Sequence, residues 1–149
     1  MTTLLTAVDW SETWSGLGAC VSYVALGVVI LIVGYVITDV LTPGNLSHLI
    51  CNDRNVNATI VASTNLIAVA SIIVMAIWTT HEDFGTGLVT TAVFGFAGVV
   101  LLAIVDFIVD KLTPGDLPTI VTGQGFHPAS VFLGVTHVIV GLLIAVSIA

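Results

Sequence analysis

Four long apolar stretches alternate with short polar ones along this 149-residue chain. The apolar stretches run over roughly residues 16–41, 58–78, 87–112 and 129–149. Each supplies the roughly 20 apolar residues that a helix needs to cross a hydrocarbon layer about 30 Å thick. Lipid offers backbone N–H and C=O groups no partners, so every stretch is predicted to be a helix. The polar residues gather in an N-terminal tail, in two hinges at residues 42–57 and 113–128, and in a connector at residues 79–86. Pro43 and Pro114 stop the helices before them, because proline lacks an N–H and clashes with an upstream carbonyl. Asn45 and Asp116 are good N-cap types. Leu46, Leu49 and Ile50, matched by Leu117, Ile120 and Val121, would share one face of a short helix in each hinge, lying at the headgroups. An irregular loop is the alternative.

The pattern repeats. Residues 12–78 align with residues 83–149 without a gap at an offset of 71, which carries Asp39 onto Asp110. Leu41-Thr42-Pro43-Gly44-Asn45-Leu46 answers Leu112-Thr113-Pro114-Gly115-Asp116-Leu117, and Gly27-Val28-Val29 answers Gly98-Val99-Val100. The expectation is one all-α membrane domain over residues 1–149, built as two tandem helix–hinge–helix repeats. Each repeat crosses twice, so the two must point the same way, related by a pseudo-twofold along the membrane normal. Arg54 and Lys111, the only basic residues, fall in or beside the hinges. The positive-inside tendency therefore puts both hinges in the cytoplasm and both termini outside. Trp14 and Trp78 would then mark the outer interface.

Composition narrows the function classes. Charged residues make up 7% of the chain, against about 25% in soluble domains, and the net charge is −7. So acidic a chain lacks the basic patch that nucleic acid needs, and lacks the polybasic run that anionic headgroups attract. The first 14 residues hold no lysine or arginine, unlike a secretory signal, so the first apolar stretch should stay in the mature protein. Cys20 and Cys51 should lie near opposite membrane faces, too far apart to pair.

Small residues recur seven apart: Gly27/Gly34, Ser63/Ala70 and Gly134/Gly141. Seven residues is close to two turns, so each pair marks one helix face. In lipid, helices approach closely at such faces. They are expected to form an intramolecular or subunit interface, unless they only reflect the usual composition of membrane helices. Polar residues inside the spans carry the sharper signal, since intramembrane acids are costly and point to function. Asp106 and His137 should lie at similar depth, as should Asn65 and Tyr35, the latter being the repeat equivalent of Asp106. This suggests two polar pairs, Tyr35 with Asn65 and Asp106 with His137. Asp106 and His137 could share a proton, form a weak cation site or make a structural hydrogen bond; alternatively, Asp106 snorkels to the interface. Asp39 and Asp110 are expected to order the Leu-Thr-Pro-Gly turns or stay solvated. His81-Glu82-Asp83 is a weak metal candidate, because three adjacent residues rarely converge on one ion. His48 and His127, in the two hinges, could meet across the pseudo-twofold but are expected to be solvated. No pattern points to a cofactor, a metal centre or a nucleophile–base pair.

One resemblance covers nearly the whole chain. Thr42-Pro43-Gly44-Asn45-Leu46, followed by Asn55-Val56-Asn57-Ala58-Thr59-Ile60-Val61-Ala62-Ser63 and an apolar helix, resembles the bacterial inner-membrane family called Domain of Unknown Function 350. The second copy reads Thr113-Pro114-Gly115-Asp116-Leu117 through Phe126-His127-Pro128-Ala129-Ser130, so His127-Pro128 departs from the Asn-x-Asn pattern. The resemblance implies a duplicated four-span protein of the prokaryotic plasma membrane, in a multi-protein envelope assembly. The leading expectation is a non-enzymatic membrane subunit or scaffold, contacting the lipid bilayer and either copies of itself or other membrane subunits. The alternative is a small oligomeric channel or transporter using Asp106 and His137.

Overall fold

A computed structural model describes residues 10–42, 44–80, 83–112 and 117–149. Six helices follow in order: α1 Trp10–Leu41, α2 Leu46–Cys51, α3 Val56–Trp78, α4 Phe84–Leu112, α5 Leu117–Thr122 and α6 Pro128–Ile148. The described residues are all-α, without strands, and α1, α3, α4 and α6 are long and apolar enough to cross a membrane. Hydropathy places the four spans well but starts them late. α1 begins at Trp10 rather than near Gly16. Hydropathy marks what lies in lipid, whereas a helix continues into the headgroups wherever its backbone bonds can form. At 1.5 Å per residue the 32 residues of α1 reach about 48 Å, beyond the hydrocarbon layer.

Local chemistry sets the breaks. Asn45 caps α2, its Oδ1 accepting from the His48 N–H at 2.9 Å. Just before it Gly44 takes φ +94°, a left-handed turn that residues with a Cβ rarely adopt. The Asp39 carboxylate orders the same turn, accepting from the Leu46 N–H at 2.6 Å. Asn55 caps α3 through the Ala58 N–H, and His127 caps α6, its Nδ1 accepting from the Ala129 N–H at 3.1 Å. Short helices therefore occupy both hinges. The expected Asp116 cap, Thr113, Pro114 and Gly115, together with Pro43 and the His81-Glu82 pair, lie outside the described residues.

α3 is the hub. It packs against α1, α4 and α6 and against both short helices. One core cluster, Ile30, Ala68, Val69, Ile72, Ile73, Val99, Leu102 and Ile144, fills the middle of the bundle. A second joins Leu46 of α2 and Val121 of α5 to Ala58, Val61 and Ala62 of α3. Both hinges therefore lie at the same end. Most other large apolar side chains, Trp14 and Trp78 among them, are exposed, as suits helices whose outer faces meet lipid.

Asn57 joins the halves. It is 1% exposed. Its Nδ2 donates to the Gly125 carbonyl at 2.7 Å and, more weakly, to Gly123 O at 3.4 Å. Its Oδ1 accepts from the His127 N–H at 2.8 Å and from Ser130 Oγ at 3.0 Å. Asn55 adds a bond from Nδ2 to Gly123 O at 3.1 Å. The Asn-x-Asn of the first hinge thus grips the backbone of the second. The second hinge has Phe126 and Pro128 at the corresponding positions, so one hinge supplies the side chains and the other the backbone groups.

Glycines set the closest approaches. A Cβ on Gly141 would lie 2.6 Å from both Cα and Cβ of Ala68, and one on Gly134 would lie 3.0 Å from Thr64. Gly34 meets Val69 and Gly27 meets Ile73. The Ser63/Ala70 pair corrects the expected pattern. Ser63 is exposed and Ala70 half-buried, and α3 turns Thr64 and Ala68 toward the α6 glycines instead. The two helices occupy corresponding positions in the repeat, yet α3 is surrounded and α6 is not, so they bury different faces. Gly95 and Gly98 of α4 are comparably close, with a Cβ only 2.6 Å from Ile30 Cδ1 and 2.5 Å from Ile72 Cγ2 respectively, though these neighbours are side-chain tips. The alignment of Gly27 with Gly98 already hinted at the second.

Candidate functional site

The hinge end of the bundle holds a cavity of about 240 Å³. α1 brings Thr38, Leu41 and Thr42 to it; α4 brings Asp106, Phe107 and Asp110; α6 brings Leu133 and His137; Val61 and Val121 close it from α3 and α5. The spacing explains the convergence. Asp106 and Asp110 are four residues apart on α4, and Leu133 and His137 four apart on α6, so each pair shares one helix face. Asp106 lies six residues before the end of α4, about 9 Å along the helix. His137 lies nine residues into α6.

Asp106 and His137 meet. His137 Nε2 is 3.2 Å from Asp106 Oδ1, with side-chain exposures of 4% and 17%. The contact is close enough for an ion pair but poorly directed for a hydrogen bond. Both Asp106 Oδ1 and His137 Nδ1 are buried without a hydrogen-bond partner. A buried polar atom left in that state costs about 1–3 kcal/mol, and sites that tolerate such a cost tend to be functional.

Tyr35 and Asn65 do not pair, which corrects the second expectation. Asn65 Nδ2 instead reaches Thr38 Oγ1 at 2.5 Å, and Thr38 Oγ1 donates to the Gly34 carbonyl at 3.0 Å. The Tyr35 hydroxyl bonds Ser47 Oγ of α2 at 2.8 Å. A phenol is several ångströms longer than a carboxylate. It carries its hydroxyl past the depth of Asn65 to the hinge, and Thr38 takes the place left open. At the cavity rim, Lys111 Nζ lies 3.9 Å from Asp110 Oδ2 and 5.4 Å from the centre of the Phe107 ring. His48 Nδ1 lies 3.3 Å from Asp53 Oδ2 at the exposed edge of the hinge. Cys20 and Cys51 are free and exposed.

The family model for the Domain of Unknown Function (DUF350) matches residues 12–148. The chain belongs to this family. The match takes in all the cavity-lining residues and both hinges, so the site lies wholly within the DUF350 domain. A UPF0719 transmembrane protein of Mycolicibacterium paratuberculosis is 35% identical over 141 residues, covering 95% of this chain and 93% of the relative. UPF0719 transmembrane proteins of Mycobacterium bovis and Mycobacterium tuberculosis are each 31% identical over 114 residues, covering 76% of this chain and 75% of each relative. No solved structure matches. The chain is thus a transmembrane member of an uncharacterised bacterial family.

Three features of the site were not foreseen from the chain. Asp110, expected only to order its turn or stay solvated, lines the cavity beside Asp106. Thr38 links Asn65 to the cavity wall, and Asn57 fastens the hinge that supplies Val121. Asn57 had a visible signal, the loss of Asn-x-Asn in the second half. Thr38 had none, since a threonine near a helix end is unremarkable.

Proposed function

We propose that the protein is a non-enzymatic membrane subunit whose hinge-end cavity is a one-sided binding site. It sits in the plasma membrane with both hinges in the cytoplasm and both termini outside, and works with copies of itself or with other membrane proteins. The observation that carries this reading is the junction of Asp106 and His137 in the wall of a cavity near the hinges. Beyond the cavity lies the dry cluster around Ile72 and Leu102. A crevice leading that way, between Asn65, Val99 and Asp106, measures about 10 Å³, roughly the minimum for one water. On this reading a ligand enters from the hinge side and stays there. Of the two cavity hydroxyls, that of Thr38 is engaged with Gly34 and Asn65.

The channel reading keeps one supporting fact, the intramembrane acid itself. It requires a path between copies. Purified protein in liposomes loaded with a pH-sensitive dye separates the two. A binding subunit gives no proton flux beyond empty liposomes. Flux in wild type that disappears in Asp106→Asn would replace the binding reading with the channel.

A further inference from the structure

The lining of the cavity is chemically specific. Two carboxylates, Asp106 and Asp110, face it, and neither of the chain's two cationic side chains, Arg54 and Lys111, lines it. His137 lines it too, is 3% exposed and carries the unpartnered Nδ1. With Nε2 placed at the carboxylate of Asp106, Nδ1 is the ring nitrogen left without a partner. The carboxylates call for positive charge, and the Asp106 Oδ1 left without a hydrogen bond calls for a donor. The rest of the wall carries the hydroxyls of Thr38 and Thr42 and is otherwise apolar, from Leu41, Val61, Phe107, Val121 and Leu133. A hard cation such as Ca²⁺ or Mg²⁺ would use none of that apolar wall and would need about six oxygen ligands, and no three His, Cys, Asp or Glu side chains among the described residues are grouped to hold a metal. A volume of about 240 Å³ falls below the roughly 300–1,000 Å³ of drug-sized pockets, so the occupant is short.

The rim already shows the preferred chemistry. The Lys111 ammonium rests beside Asp110 and over Phe107, both of which line the cavity. Lys111 is 66% exposed in its side chain, and exposed ion pairs hold weakly, so an incoming ammonium can displace it.

We propose that the cavity binds the primary ammonium group of a short alkylamine, held between Asp106 and Asp110 with its chain against Leu41, Val61, Val121 and Leu133. The proposal rests on the cavity being a binding site and adds the chemistry of what binds. Such an ammonium can come from a soluble amine or from an ethanolamine lipid headgroup.

The full chain in phosphatidylcholine nanodiscs is titrated calorimetrically with n-butylammonium, n-butanol and butyrate. Butylammonium should bind at least tenfold more tightly than butanol, and butyrate should not bind measurably. Asp110→Asn should weaken butylammonium at least tenfold. Lys111→Ala should strengthen it a few-fold, because the internal competitor is gone; this exposed substitution also covers the case in which Asp110→Asn fails to fold. Adding phosphatidylethanolamine to the nanodiscs distinguishes the sources: competition with butylammonium assigns the site to a lipid headgroup, and its absence assigns it to a soluble amine. Equal binding of butylammonium and butanol, unaffected by both variants, would overturn the ammonium assignment while leaving a binding cavity. No binding of any of the three probes would overturn the cavity reading as well.

Discussion

Replacing Asn57 with alanine should loosen the whole bundle, though Asn57 lies outside the apolar core. The side chain makes three bonds of 3.0 Å or less, to Gly125 O, from His127 N and from Ser130 Oγ. The fourth, to Gly123 O at 3.4 Å, is too long to count for much. Net worth per bond is about 1 kcal/mol in a protein near water and about 0.6 kcal/mol on average between membrane helices. Ser130 shares its one hydroxyl proton with His127 O, so two full bonds and a partial one give about 1.5–3 kcal/mol. The upper end is favoured, because the His127 N–H and the Gly125 carbonyl lose the partners they have, while Ser130 keeps its bond to His127 O at 2.7 Å. Equilibrium unfolding in mixed micelles, titrated with a denaturing detergent and followed by circular dichroism, measures the loss. The exposed Asn52→Ala is the control, expected within about 0.5 kcal/mol of wild type. Asn57→Asp should be at least as harmful as Asn57→Ala, since it sets a carboxylate oxygen against the Gly125 carbonyl. The reasoning fails if Asn57→Ala unfolds together with Asn52→Ala.

Gly141→Ala should cost about 1–3 kcal/mol, more than Gly134→Ala, because the new methyl meets the Ala68 backbone rather than the tip of Thr64; Gly27→Ala, with only Ile73 at 3.4 Å, should be mildest, and a reversed order in thermal denaturation would refute the packing described. Asp106→Asn should keep the fold, whereas Asp106→Leu and His137→Leu should each destabilise by about 1–3 kcal/mol, the double change costing less than the sum; strict additivity in the unfolding titration would mean that the two do not interact. Cysteine placed at Asp53, in a background lacking Cys20 and Cys51, should be labelled only after the cells are opened. Labelling by a membrane-impermeant reagent from outside intact cells would overturn the proposed orientation.

The amino-acid sequence by itself determined the class and the layout. Residue composition and run length respond directly to the solvent, and a bilayer leaves only helices for four apolar stretches of this length. Proline, glycine and asparagine at the first hinge act over a few residues, so the turn after Leu41 and the short helix from Leu46 were legible. So was the meeting of Asp106 with His137, because depth along a straight helix is almost a count of residues. Rotation about the helix axis was another matter. A stripe of small residues such as Ser63 and Ala70 marks a face without saying which neighbour it meets, and lipid and protein neighbours are about equally apolar. Only the tertiary structure decided that α3 lies at the centre, that Thr64 and Ala68 face the α6 glycines, and that Tyr35 passes Asn65 to reach Ser47. It also decided that Asn57 grips the opposite hinge and that Asp110 joins the Asp106–His137 wall. Those outcomes depend on how four helices turn against one another, a collective packing choice that no local pattern contains.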